Sequence, residues 1–499
     1  MNAEGKSDGS IVPSNPANKD AAEASAESAE GRLPATRNTL PSNLARTPSR
    51  NKRRSSGLHG VREAARQSRD LKFTALLHHI NVELLTSSFY QLKKNAAVGV
   101  DQVTWHEYEE DLETRIVDLH GRVHRGAYRA KPSRRVHIPK PDGRTRPLGI
   151  ASLEDKIVQH AVRTVFQCIY EEDFLGFSYG FRPNRSAHDA LDALAYAIPE
   201  QRVNWILDAD IKGFFDEIDR KWLVKFLEHR IGDKRMIRLI QKWLAAGIIE
   251  ETDWSDTGKG TPQGSVISPI LANVFLHYVF DLWINQWRKR HCRGKCIVVR
   301  YADDFVIGFE HEAEARACLE ALKERLHKFG LELHPEKTRL LEFGRTASDR
   351  RRRNGQGPCE TFEFLGFTHI CGQTQKNKRF VLWRRTSRKR FSRTLAAIKM
   401  QLRRRRHDSV GMTGRWLASV IRGWLGYHAV PDNYGRLDEF VTEVTKLWLH
   451  QLRRRSQKGR AAWPWERMHR LVDCYLPQPK ILHPYPKDRF RARLAARAV

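Results

Sequence analysis

The sequence predicts an α/β fold followed by an α-helical C-terminal region, and three observations carry that reading. Apolar runs of strand length, Trp205 to Leu207, Ile297 to Val299 and Phe305 to Ile307, alternate with stretches of helical spacing as far as about Phe367. Residues 376–406 are crowded with Arg and Lys, contain no Asp or Glu, and interleave Phe380, Trp383 and Phe391. Amphipathic helical segments follow, around Trp416 to Tyr427 and Leu437 to Leu452.

Taken in order, residues 1–68 are rich in Ala, Ser, Asn, Pro and Gly and end in the basic cluster Lys52, Arg53 and Arg54, the composition of a disordered segment. Folded structure is expected from Leu71, where Leu76, Leu77, Ile80, Leu84 and Leu85 fall on one side of a helical pattern. The mixed α/β unit then occupies 69–370, a helical unit 371–475, and a Pro/Arg-rich tail 476–499 that wraps the surface. Ser265 to Trp287 is the longest apolar stretch, interrupted by Pro269, Asn273, His277 and Asp281. It reads as a packed core helix and falls short of the roughly 18 unbroken apolar residues that span a bilayer.

A net charge of +30 makes a polyanion the leading partner, through release of its condensed counterions. In 376–406 the like charges repel across adjacent turns unless phosphates neutralise them, so that stretch reads as a phosphate-contacting surface. Seven cysteines without a regular framework, and no apolar signal segment, point to a reducing, cytoplasmic setting. Cys292 and Cys296 beside His291 lack a second pair at zinc-site spacing, and no structural zinc is expected.

The chemistry concentrates at Val298-Val299-Arg300-Tyr301-Ala302-Asp303-Asp304-Phe305-Val306-Ile307, a hairpin with two acids at its turn. Adjacent ionised carboxylates repel and are stabilised by cations between them; paired divalent ions about 4 Å apart are the recurrent solution for nucleotidyl transfer. A third acid, Asp210, ends the apolar run Trp205-Ile206-Leu207-Asp208-Ala209-Asp210, placed to lie beside the hairpin, with Asp208 and Asp216 as alternative ligands. Such hard oxygen donors favour Mg²⁺.

The YADD box at Tyr301 to Asp304 and the DIKGFFD segment at Asp210 to Asp216 resemble the palm of reverse transcriptases. The wider sequence resembles the bacterial group II intron reverse transcriptase/maturase family, from about residue 70 to the end. The matching stretches are GVDQVTW at Gly99 to Trp105, RRVHIPKPDGRTRPLGI at Arg134 to Ile150, SYGFRPNRSAHDAL at Ser178 to Leu191, GTPQGSVISPILANVFLH at Gly260 to His277, and FEFLGF at Phe362 to Phe367. The resemblance implies a right-hand polymerase, with fingers and palm built on antiparallel sheet and followed by a helical thumb/maturase domain. It implies Asp210, Asp303 and Asp304 as ligands of two Mg²⁺ ions, Phe215 as the residue that blocks a ribose 2′-hydroxyl, and Lys140 and Arg146 as the grip on the incoming triphosphate. Gln263 matches the residue near the nucleotide sugar, and Lys337 the one that protonates the leaving pyrophosphate.

The same resemblance assigns RWLASVIRGWLGYHAV at Arg415 to Val430 to RNA binding, with Trp416, Trp424 and Tyr427 either facing RNA or filling helix core. Paired cysteines and histidines of a DNA endonuclease module are not found beyond it. The expected partners are the group II intron RNA, a DNA primer/template and deoxynucleoside triphosphates, without a membrane. The expected function is RNA-directed DNA polymerisation joined to assistance of intron splicing. The alternatives are a retron, diversity-generating or defence reverse transcriptase, and an RNA-binding splicing cofactor without polymerase activity.

Overall fold

In the computed structural model of the protein, residues 57–139, 145–250, 253–255, 260 and 264–489 are described. The N-terminal helices are α1 (Leu58–Gln67), α2 (Val82–Tyr90), α3 (Trp105–Glu109), α4 (Leu112–His124) and α5 (Leu153–Asp173). Helix α1 corrects the expectation of disorder through residue 68. Only Val61 and Ala65, one turn apart, are buried on it, too small a pattern to register as apolar periodicity. Tertiary contacts supply the rest: α1 packs on α5, Arg62 pairs with Glu172 at 2.9 Å, and the buried Arg230 guanidinium donates to the carbonyls of Ser68, Arg69 and Leu71. Leu76, Leu77, Ile80 and Leu85 are buried together as expected, but a 3-10 turn at Leu77–His79 precedes α2 and its Asn81 cap.

Three sheets follow. The first has the order β2-β1-β4-β5, with β1 (Ser133–Pro139) antiparallel to β2 (Thr145–Ile150) and parallel to β4 (Ile248–Glu250), which pairs with β5 (Asp253–Ser255). The second, fully antiparallel, has the order β6-β7-β3-β8, from β3 (Trp205–Asp210), β6 (Cys296–Tyr301), β7 (Asp304–Phe309) and β8 (Arg339–Glu342). The third is β11-β10-β9, from β9 (Phe362–Phe364), β10 (Phe367–Gln373) and β11 (Phe380–Thr386). All three strands foreseen around the acids are present, each extended by a few residues.

The central sheet is covered on both faces because its strands alternate between two cores. Leu207, Ala209, Val298, Phe305, Ile307 and Phe309 join the large core, built on α5 and on helices α8 (Arg220–Arg230), α9 (Lys234–Ala245), α10 (Ser268–Leu276) and α12 (Glu312–His327). Ile206, Ile297, Val299, Val306 and Leu341 join a second core against α6 (Ala187–Glu200) and the β9–β11 sheet. The long apolar run is continuous helix: α10, one wider π turn over His277–Asp281, then α11 (Leu282–His291). Among the described residues no helix is long and apolar enough to cross a membrane.

A third core holds α14 (Arg388–Arg404), α15 (Val410–His428), α16 (Tyr434–Arg453) and α18 (Trp465–Tyr475), with α13 (Arg345–Arg353) lying earlier, between β8 and β9, and the short α17 (Gly459–Ala462) before α18. This α/β architecture followed by a helical C-terminal region agrees with the fold class expected from the sequence. The basic run 376–406 is not a single face. It is split between β11 and α14; Phe391 is core, and Arg384 is buried in an ion pair with Asp192. Arg388, Lys389, Arg393, Lys399, Arg403 and Arg404 remain exposed. Trp424 is core as well, stacked on Phe440 with ring centroids 3.8 Å apart. The tail docks through His483, stacked on His188, and through Arg489, which reaches Asp189 and Asp192.

Burial pushes His369 down to about 3 from an ordinary 6.5. The unfolded chain takes up that proton below about pH 6.5 while the folded chain does not, so this group's stabilising contribution is lost as pH falls. Relative to His369→Leu, the wild type is expected to lose about 2 kcal/mol between pH 7.5 and pH 5.0. Urea melts at both values check the difference, and parallel pH slopes for the two proteins would refute it.

Candidate active site

Strand register brings the acids together. In the β3–β7 pair Asp210 lies opposite Asp304, and in the β6–β7 hairpin Tyr301 lies opposite Asp304, which leaves Ala302-Asp303 as a two-residue turn. Side chains alternate across a strand. Because Ile206 and Val306 face the second core, Asp208, Asp210 and Asp304 fall on that same side of the sheet, at its open end. Asp303 occupies the turn beside them.

Two cations of the described residues, Lys337 and Arg339, pair with this cluster. Burial, then repulsion from Asp208, Asp303 and Asp210, pushes the Asp304 carboxyl up to about 8, and Lys337 opposes the shift. Burial, with a contribution from Asp210, raises Asp208 to about 6 against the Arg339 guanidinium 3.4 Å away. Lys337 Nζ pairs with Asp210 Oδ2. The lysine's loop is held to the strand it serves: His334 N–H donates to the Asp210 carbonyl, and Lys337 and Thr338 N–H both donate to the His334 carbonyl. Among the described residues no group of three His, Cys, Asp or Glu side chains is drawn together tightly enough to hold an ion as it stands. In donor chemistry the residues nevertheless fit a hard divalent cation: carboxylate oxygens at one sheet end, with charge in excess.

The turn itself is clamped from behind. Ala302 is held at φ 58°, a left-handed conformation uncommon for a residue with a side chain. Gly180 packs against it so closely that a Cβ there would collide with the Ala302 amide nitrogen. The segment carrying Gly180 adds to the sheet edge: Tyr179 N–H donates to the Arg300 carbonyl, and Arg300 N–H to that of Phe177. The fully buried Arg300 guanidinium then binds Asp281 at 2.6 and 2.7 Å, Asn273 Oδ1 at 3.1 Å, Ser178 Oγ at 2.7 Å and the Ala302 carbonyl at 2.9 Å. Asn273 Nδ2 donates to the Gly180 carbonyl at 2.8 Å. The π turn presents Asp281 to this network, a placement typical of such turns.

Arg300, Asp281, Asn273 and Ser178 were not singled out from the sequence. A signal was available: Arg300 follows Ile297, Val298 and Val299 inside a buried strand, where a cation demands a partner, and Asp281 and Asn273 interrupt an otherwise apolar helix.

Phe215 lies in the short helix α7 (Phe214–Glu217) directly after β3, half-buried and 5.3 Å from the Phe214 ring. Gly260 lies against this helix and Gly264 against β2. Gly260 N–H donates to the Ile218 carbonyl, and Gly264, at φ 103°, has room only for hydrogen because a Cβ would sit 2.9 Å from the Gly149 carbonyl oxygen. Gln263 and Lys140 lie outside the described residues; Arg146 is described as backbone only, in β2 opposite Ile138.

The profile of a family described as Reverse transcriptase (RNA-dependent DNA polymerase) matches residues 138–369. Protein YkfC of Escherichia coli is 33% identical over 276 residues, which cover 48% of this chain and 71% of YkfC. Group II intron-encoded protein LtrA of Lactococcus lactis is 32% identical over 278 residues, 52% of this chain and 45% of LtrA, so the chain spans about half of that relative's length. Nuclear intron maturase 3 of Arabidopsis thaliana is 30% identical over 129 residues, 26% of this chain and 18% of that protein.

Proposed function

Since the chain belongs to the family of group II intron-encoded reverse transcriptases and maturases, we propose that it copies RNA into DNA at the Asp210, Asp303 and Asp304 cluster and assists splicing of the intron that encodes it. The observation that carries this reading is the Asp210–Asp304 register, which sets a third acid against a two-acid turn. We assign residues 57–370 to fingers and palm, 371–475 to thumb and maturase, and 476–499 to a C-terminal tail.

In this reading Asp210, Asp303 and Asp304 would hold two Mg²⁺ ions, which when bound supply activation of the primer 3′-hydroxyl and charge stabilisation at the departing pyrophosphate. The 3′-oxygen bonds to the α-phosphorus of a deoxynucleoside triphosphate as the bond to pyrophosphate breaks. Lys337 is assigned to donate a proton to that leaving group. Lys140 and Arg146 are assigned to neutralise the triphosphate, and Gln263 to recognise its sugar. The exposed Arg and Lys of α14 supply sequence-independent grip on RNA and on the primer/template duplex. Removing four of them, Arg393, Lys399, Arg403 and Arg404, is expected to flatten the salt dependence of RNA binding measured by filter retention. An unchanged slope would assign the contacts elsewhere.

Phe215 is the residue we assign to exclusion of ribonucleotides. Phe215→Ala is expected to raise ribonucleotide incorporation at least tenfold relative to deoxynucleotides in primer extension, while unchanged discrimination would remove it from that role. The function as a whole is tested by extension of a DNA primer on an RNA template with Mg²⁺. Product from the wild type and none from Asp303→Ala is the expected pair. Absence of product from the wild type, with RNA binding retained, would favour a splicing cofactor without polymerase activity.

A further inference from the structure

At the end of the central sheet Asp208 and Asp210 are each paired with a cation, and the two cations differ in kind. Asp208 has Arg339, set opposite it in the β3–β8 register. Asp210 has Lys337, supplied by the turn that follows the Ile211–Leu333 bridge, and the same ammonium also acts on Asp304. The two cations differ in freedom. Arg339 lies within β8 and also donates to the Thr361 carbonyl at 3.4 Å. Lys337 lies in a turn, its side chain is 53% exposed, and among the described residues its ion-pair partner is Asp210. An ammonium on a flexible four-carbon stem can leave such a partner at little cost.

We infer that Lys337 is the resident counter-ion of the metal-free site, occupying Asp210 until a divalent cation displaces it. The inference rests on the assignment of Asp210, Asp303 and Asp304 as ligands. Its consequence is a built-in competition. Lys337 holds the acids against their mutual repulsion in the absence of metal, and its charge opposes entry of a dication, so metal loading and release of the lysine are linked. The released ammonium is then available to a polyanionic substrate, so a triphosphate and the dication favour one another through a side chain that serves each in turn.

The test uses the full chain without RNA or nucleotide, and Mn²⁺ as probe, with free ion counted by its electron paramagnetic resonance signal. Lys337→Met keeps the length of the side chain and removes the charge; it is expected to bind Mn²⁺ about tenfold more tightly than the wild type, the scale of a charge removed beside a dication in a partly solvated site. Lys337→Arg is expected to stay within about twofold of the wild type. Thermal melts supply a second readout: Lys337→Met melts below the wild type without metal, and saturating Mn²⁺ closes the gap. Equal Mn²⁺ affinity of the Met variant and the wild type, with binding abolished by Asp303→Asn in both, overturns the role of the lysine and leaves the ligand assignment standing. Failure of Asp303→Asn to weaken binding in either background overturns the ligand assignment and the inference with it.

Discussion

Asp303→Ala is expected to lower the rate of primer extension about a thousandfold or more without lowering the melting temperature measured in the absence of metal. A ligand to a catalytic ion contributes several kcal/mol of transition-state stabilisation, and about 4 kcal/mol corresponds to a thousandfold in rate. The same carboxylate repels its neighbour. It is one of the charges whose repulsion helps to push Asp304 up to about 8, so its removal relieves the cluster. Loss of activity with equal or higher stability is the mark of a residue kept for chemistry and not for folding. Differential scanning calorimetry beside single-turnover extension checks both halves. A variant that loses activity and melts far lower would show that Asp303 holds the turn together, and the ligand assignment would then need other support.

Arg300→Met is expected to do the opposite, destabilising the fold by about 3–5 kcal/mol. The substitution leaves Asp281 buried without its partner, together with unfilled acceptors at Asn273 and Ser178. The double variant Arg300→Met/Asp281→Leu removes both charges and is expected to recover most of that stability, as apolar replacement of a buried ion pair commonly does. It does not restore a donor to the Ala302 carbonyl, so extension by the double variant is expected to stay at least tenfold below the wild type. Urea unfolding and extension assays on the three proteins separate the two effects. Full activity of a refolded double variant would reduce the clamp to a packing feature.

The parts of this protein that were legible in the sequence are those that local pattern controls. Short β-branched runs flanking Asp303-Asp304 specified a hairpin, because only a tight turn joins two such runs across two residues. The apolar run Trp205 to Leu207 ending in acids marked a strand that could lie beside the hairpin, with Asp208 offered as an alternative ligand by composition; the shared face of Asp208 and Asp210 came with the structure. Helix α1 was missed for the converse reason. Its buried face is two small residues, and what orders it is Glu172, the carbonyl-binding Arg230 and the surface of α5, none of them close to it in sequence. The basic stretch 376–406 was read as one surface because charge counts carry no direction; the Arg384–Asp192 pair spans 192 positions and turns one of its arginines inward.

By itself the sequence determined the carboxylates, the hairpin that carries two of them, the excess of positive charge and the family to which these belong. Tertiary structure decided which cations pair with Asp208 and Asp210, that Arg300 is a buried clamp for the turn, and that Trp424 is packed in the helical core. The physical reason is one of range. Strand alternation and turn chemistry act over a few residues and can be read along the chain, whereas Lys337 meets Asp210 across 127 positions and Arg300 meets Ser178 across 122. Those pairings exist only once the sheets and their two cores have brought the segments together.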